Sequence, residues 1–180
     1  MPTILLFLAI AAGLWIAWAV MRGRFKGRED RVAAATTRAQ SHKPAVLKVS
    51  PVDGAFIGLC FDKGTIVVGD ADTDMAWSLH MLARVELLLN DDPIAWAEPA
   101  SRSDPVPFGG EVRDLALRLS VKDSRHGPYT VTFLRWPAPG LKPADPVVQD
   151  TAAAAFDMFQ RLAEGMAKAE AARIRAADFP

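Results

Sequence analysis

The sequence predicts an N-terminal transmembrane helix followed by an α+β domain, a strongly bent antiparallel sheet of about seven strands capped by a C-terminal amphipathic helix. Three observations predict it. Residues 1–21 carry no charged side chain. From residue 45 onward, short apolar runs alternate with Gly, Pro, Asp and Asn punctuation, the signature of strands and turns. From residue 150 the apolar positions change to helical spacing. The chain of 180 residues thus divides into an anchor (1–21), a basic juxtamembrane tether (22–44) and a folded body (45–180).

Ile4 to Met21 reads ILLFLAIAAGLWIAWAVM, eighteen residues apolar on every side. About 20 helical residues cross a hydrocarbon core, so this run suits a single span. Trp15 and Trp18 fall at the end where indoles favour headgroups. Arg22, Arg24, Lys26, Arg28 and Arg31 follow, which places the N-terminus outside and the body on the cytoplasmic face of a bacterial inner membrane. A cleaved signal peptide competes through Ala17-Trp18-Ala19, but Met1-Pro2-Thr3 lacks a basic group and the apolar run is long for that role. Formal net charge is zero, yet residues 22–48 hold eight basic groups against Glu29 and Asp30, and the remaining body is net acidic. The basic strip reads as a topology signal, with attraction to lipid headgroups as its functional alternative. A short helix around 29–40 is the only structure expected in the tether, since few large apolar groups stand there to be buried.

In the body, Ala45–Val49 makes a first strand. Ala55–Phe61 and Thr65–Val68 form a hairpin across Asp62-Lys63-Gly64, where glycine supplies the positive φ. Met75–Leu79 and Arg84–Leu89 follow, then a turn at Asn90-Asp91-Asp92-Pro93 and a returning run Ile94–Ala97. Residues 98–110 contain Pro99, Pro105, Pro107, Gly109 and Gly110 and read as a surface loop. Leu115, Leu117, Leu119 and Val121 alternate with polar neighbours in the clearest strand, and Tyr129–Trp136 returns against it. After a proline-rich link, Asp150 is the expected N-cap of a helix to about Ala176, with Phe156, Phe159, Ala163, Met166 and Ala169 on one stripe. A β-sandwich with a trailing helix is the alternative architecture.

Residues 45–176 resemble the bacterial pleckstrin-homology-like (PH-like) domain proteins with a single N-terminal membrane anchor. The passages AFIGLCFDKGTIVVG, MAWSLHMLARVEL, LALRLSVKDSRHGPYTVTFLRW and the helix with AFDMFQRL carry the resemblance. It implies a seven-stranded bent sheet with a C-terminal helix, and lipid or peptide binding is known among relatives. The first hairpin offers only Lys63, beside Asp62, in place of a basic headgroup-binding loop.

Chemistry-bearing patterns are sparse. Asp70, Asp72 and Asp74 alternate like calcium ligands, but the EF-hand glycine and glutamate positions hold Met75 and Met81, so a solvated acidic turn is the better reading. His42, His80 and His126 are scattered, and Cys60 is the single cysteine, which excludes a cysteine-based zinc site and an internal disulfide. No phosphate loop, dinucleotide fingerprint or serine elbow occurs. These features point away from an enzyme, a cofactor, a metal site, a nucleic-acid partner and a small-molecule substrate. The expected function is a membrane-anchored, non-enzymatic binding or scaffold module for a protein partner, with a subunit of a secretion or conjugation-type membrane assembly as the alternative. Candidate contacts are Arg22, Arg24, Lys26, Arg28 and Arg31 for lipid headgroups, and Arg135 with Trp136 for a partner.

Overall fold

Phe56–Cys60 is apolar and buried at every position, so it needs cover on both of its faces. The rest of the architecture supplies it. The computed structural model of the chain describes residue 15, residues 26–123, residue 125 and residues 127–178. Its described elements begin with α1 (26–41), followed by nine strands and a final helix.

Strands β1 (Val46–Val49), β2 (Phe56–Cys60), β3 (Thr65–Gly69) and β4 (Asp74–Ser78) form one antiparallel meander. Gly64 takes φ 59° in the β2–β3 connection, as the sequence requires. A 3-10 turn, Leu79–Met81, then interrupts the chain. The second sheet has the order β7-β6-β5-β8-β9. It is built from β5 (Leu82–Leu89), β6 (Asp92–Glu98), β7 (Ser101–Arg102), β8 (Asp114–Val121) and β9 (Tyr129–Arg135). Asn90 and Asp91 both have positive φ in the tight β5–β6 turn. The Asn90 side chain also donates to Glu111 O and accepts from the Arg113 and Asp114 amides, which ties this turn to the start of β8.

The main core lies between the sheets. Ile57, Leu59, Ile66 and Val68 face Val85, Leu87, Leu117 and Leu119 across it. Helix α2 (Pro146–Asp178) closes the core with Val148, Ala155, Met158, Phe159, Leu162, Ala163 and Met166. Gly165 lets α2 approach the 3-10 turn, because a Cβ there would stand 3.2 Å from Leu79 Cδ1. On the opposite face of the first sheet, Ala35 and Ala39 of α1 pack with Phe56, Cys60 and Val67 in a second, smaller cluster. Tyr129 joins the sheets: its hydroxyl donates to Gly69 O, and its ring meets Trp77 edge-on at 6.5 Å. Burial pushes its phenol up to about 12.

Several expectations are corrected. One bent sheet of seven strands becomes two sheets of four and five strands, because the 3-10 turn at Leu79–Met81 breaks the run between β4 and β5. The stretch 98–110 holds a two-residue edge strand within its loop. The last helix begins at Pro146, four residues before the expected cap. Asp145 Oδ1 accepts from the Val147 amide at 2.9 Å, and proline suits the first helical position because its missing N–H would have no partner there. Of the expected stripe, Phe159, Ala163 and Met166 are buried, while Phe156 and Ala169 are partly so.

The single-pass membrane reading is also corrected. Among the described residues no helix is long and apolar enough to cross a membrane. Both helices are amphipathic: α1 is charged on its outer side, and α2 is exposed from Ala171 to Ala177. The expected span lies outside the described residues, apart from Trp15, which is helical and 68% exposed. The integral membrane partner, the inner-membrane location and the orientation all rested on that span, and no described element carries them. Of the tether, 26–41 is a helix packed on the first sheet.

Candidate functional site

An open apolar groove is built by the stretch that reads as a surface loop in the sequence. Ser103 and Val106 donate their amides to Trp96 O and Ile94 O, both at 2.9 Å, and the Ser103 hydroxyl accepts from the Trp96 amide. The loop therefore runs along β6 as a partial strand. Pro105 and Pro107 cannot donate, so regular pairing stops there. Phe108 turns back onto the core, while Val106 is left 61% exposed.

Between this loop and the first turns of α2 lies an open groove of about 550 Å³. Leu87, Ile94 and Leu115 contribute from the sheet, Phe108 and Pro143 from the loops, and Phe156 from α2. Ala152 and Ala153 leave the space that larger helical side chains would fill. The lining contains no titratable group. Charge lies beside it in sequence: Asp92, Asp104, Asp145 and Asp150 are each within two residues of a lining residue, against Lys142 and Arg113. The lining is apolar throughout, and the residues adjacent to it in sequence carry more acidic than basic groups. A second cleft of about 350 Å³, between the β6–β7 hairpin and α2, is smaller and lined in part by Glu98, Arg102 and Glu164.

Compared with protein families, curated proteins and solved structures, the chain has no match. Its function must be argued from its own geometry.

The candidate residues named from sequence fall in separate places. Lys26, Arg28 and Arg31 are exposed on α1, and Arg22 and Arg24 lie outside the described residues. Arg135 is engaged by Asp114, with Nε 2.8 Å from Oδ2, and that hydrogen bond raises the pKa of the guanidinium. Trp136 is 44% exposed at the end of β9. The acidic turn is occupied with its own backbone. Asp70 Oδ1 accepts from the amides of Asp72 and Thr73, chiefly the latter, which holds its carboxyl below the usual range. Asp74 is paired with Arg38 and His42, which lower its carboxyl in that order. No cluster of three or more ligand-type side chains suited to a metal ion stands among the described residues.

His80 Nδ1 lies 2.7 Å from Ser78 Oγ, an exposed pair two residues apart in the chain. Among the described residues, no carboxylate bonds its other nitrogen, so the triad logic is incomplete. His126 lies outside the described residues.

Sequence reasoning missed one feature on the outer face of the second sheet. Glu86, only 8% exposed, sits between Arg84 and Arg118, with its oxygens 3.1 Å and 2.7 Å from their Nε atoms. The Arg84 contact is close but poorly aligned, and its Nε makes no hydrogen bond. Arg84 reaches Glu98 as well and stacks 5.0 Å over the Trp96 ring. The signal was Glu86 itself, an acidic residue inside the apolar run LARVELLL. The four charges compensate one another, so the cluster reads as fold-specifying.

Proposed function

We propose that the body is a non-catalytic binding module whose groove beside α2 takes an apolar side chain from an extended segment of a protein partner. The observation that carries the reading is the groove itself. Its volume of about 550 Å³ lies in the range of ligand sites, and its lining is apolar and proline-rich without a group suited to acid–base or nucleophilic work. Exposed Val106 gives a partner an apolar edge to extend over. The acidic excess in the segments that flank the lining favours lysine or arginine beside the inserted residue.

The test uses a random-peptide display library as the probe, panned on the full chain. Selected peptides should share an apolar residue flanked by basic ones, and Val106→Asp should abolish their binding without changing the unfolding midpoint. Absence of enrichment, or peptides that bind Val106→Asp as well as the unaltered chain, would remove the groove as the site.

A further inference from the structure

Helix α1 covers far more than it buries of itself. Its wholly buried side chains are Ala35 and Ala39, with Val32 and Thr36 half-buried. Beneath it lie Phe56, Cys60 and Val67, which are 0%, 6% and 3% exposed, with Leu47 and Val49 packed at the margin. Burial of two methyl groups is a weak hold compared with the seven buried positions of α2.

At its C-terminal end the attachment is also polar, and Asp74 is its main acceptor, beside a long Cys60 Sγ–His42 O contact of 3.7 Å. Arg38 Nη1 donates to Asp74 Oδ1 at 2.9 Å, and its Nε donates to Ala71 O at 3.2 Å. His42 Nε2 lies 2.7 Å from Asp74 Oδ2. Both carboxylate oxygens of the edge strand β4 are therefore taken up at the C-terminal end of α1. The described part of the helix includes Gly27, Val32, Thr36 and Thr37, which lower its intrinsic helix propensity. Loss of the Asp74 contacts would remove both side-chain pairings that tie its C-terminal end to β4. The main core lies on the other face of the sheet.

We propose that α1 is a displaceable cover, latched through Asp74 to Arg38 and His42, over the apolar outer face of β2 and β3. Its release uncovers Phe56, Cys60 and Val67 while both sheets and α2 stay packed. This reading is independent of the groove, which lies against the second sheet and α2.

Cys60 is the only cysteine in the chain, so its thiol reports the opening directly. The full chain is reacted with an aromatic disulfide reagent over a range of low urea concentrations, and unfolding is followed separately by near-UV circular dichroism. If α1 opens locally, labelling is independent of urea well below the unfolding transition. Asp74→Asn then accelerates labelling roughly tenfold or more, on the scale of lost charge-assisted hydrogen bonds, with little change in the unfolding midpoint. Arg38→Gln acts in the same direction and decides the matter should Asp74→Asn fail to fold. The proposal is overturned if labelling follows the urea dependence of global unfolding from the lowest concentrations. It is equally overturned if the variants speed labelling only in proportion to a lowered midpoint.

Discussion

Leu162→Ala on α2 should be one of the more damaging single changes in the body. The side chain is 0% exposed and sits in the middle of the stripe that closes the core between Met158 and Met166. The change removes three carbon atoms beyond Cβ, worth about 0.8 kcal/mol each in transfer terms. Sheet side chains on the facing side cannot collapse fully into the vacancy, so a cavity penalty adds to that loss and brings the expected cost to about 3 kcal/mol. A domain of this size has roughly 5–15 kcal/mol in total. With a urea slope of about 2 kcal/mol per molar, the midpoint should fall by roughly 1.5 M. Val147→Ala is the control: on the same helix but 49% exposed, it should shift stability by no more than about 0.5 kcal/mol. The assay is urea unfolding of the full chain, followed by circular dichroism and tryptophan fluorescence together. If Leu162→Ala unfolds at the unaltered midpoint, α2 is not part of the core and its apolar stripe belongs to some other contact.

Two further outcomes follow from individual groups. Tyr129 is the only tyrosine, so its near-UV absorbance on alkaline titration should rise with a midpoint near 12, and a midpoint at the ordinary value of about 10 would mean a solvated ring. The carboxyl of Asp74 is depressed in the folded state, so its stabilising contribution is complete above the unfolded value near 3.8 and is lost as pH falls through the lower folded value. Arg38, His42 and nearby Asp70 are the charged and titratable groups around it. The difference in melting temperature between the unaltered chain and Asp74→Asn should therefore shrink as pH falls below about 4. A difference that persists unchanged at pH 3 would show that the pairing is not what Asp74 contributes.

What could be read from the chain, and what could not, divides along physical lines. The β2–β3 hairpin was legible because Gly64 must take a positive φ, and β8 was legible because Leu115, Leu117 and Leu119 alternate with wet neighbours. Of the α2 stripe, Phe159 and Met166 were legible because they are large, whereas the fully buried Met158 and Leu162 were not among the expected positions. α1 was underestimated for the opposite reason. Its buried residues are Ala35 and Ala39, and alanines at helical spacing do not stand out as a hydrophobic face although they allow close approach. The order of the second sheet was not legible at all. Pairing of β8 with β5 instead of β7 is a long-range choice, and no local pattern encodes it. The groove hid inside a proline-rich loop, where Val106 and Phe108 were the two apolar residues that a purely solvated connection would not need.

Small side chains do different work on the two helices, and the difference explains where function is sought. On α1, alanines meet the sheet face and bring the helix close with little hydrophobic hold, so the attachment draws also on the hydrogen bonds of Arg38 and His42 to Asp74. On the first turns of α2, Ala152 and Ala153 face a loop that cannot move in to meet them, because Val106 is tied to Ile94 and the neighbouring prolines resist a new path. Space is left there instead of contact. Further along, Met158, Leu162 and Met166 fill the core and fix the helix. The groove is therefore supported by a rigid element and can keep its shape while empty, which lowers the ordering cost of binding. α1, in contrast, is held at the low-stability end of the fold, where local opening is cheapest. A static groove and a releasable cover thus follow from one distribution of alanine, leucine and methionine along two helices.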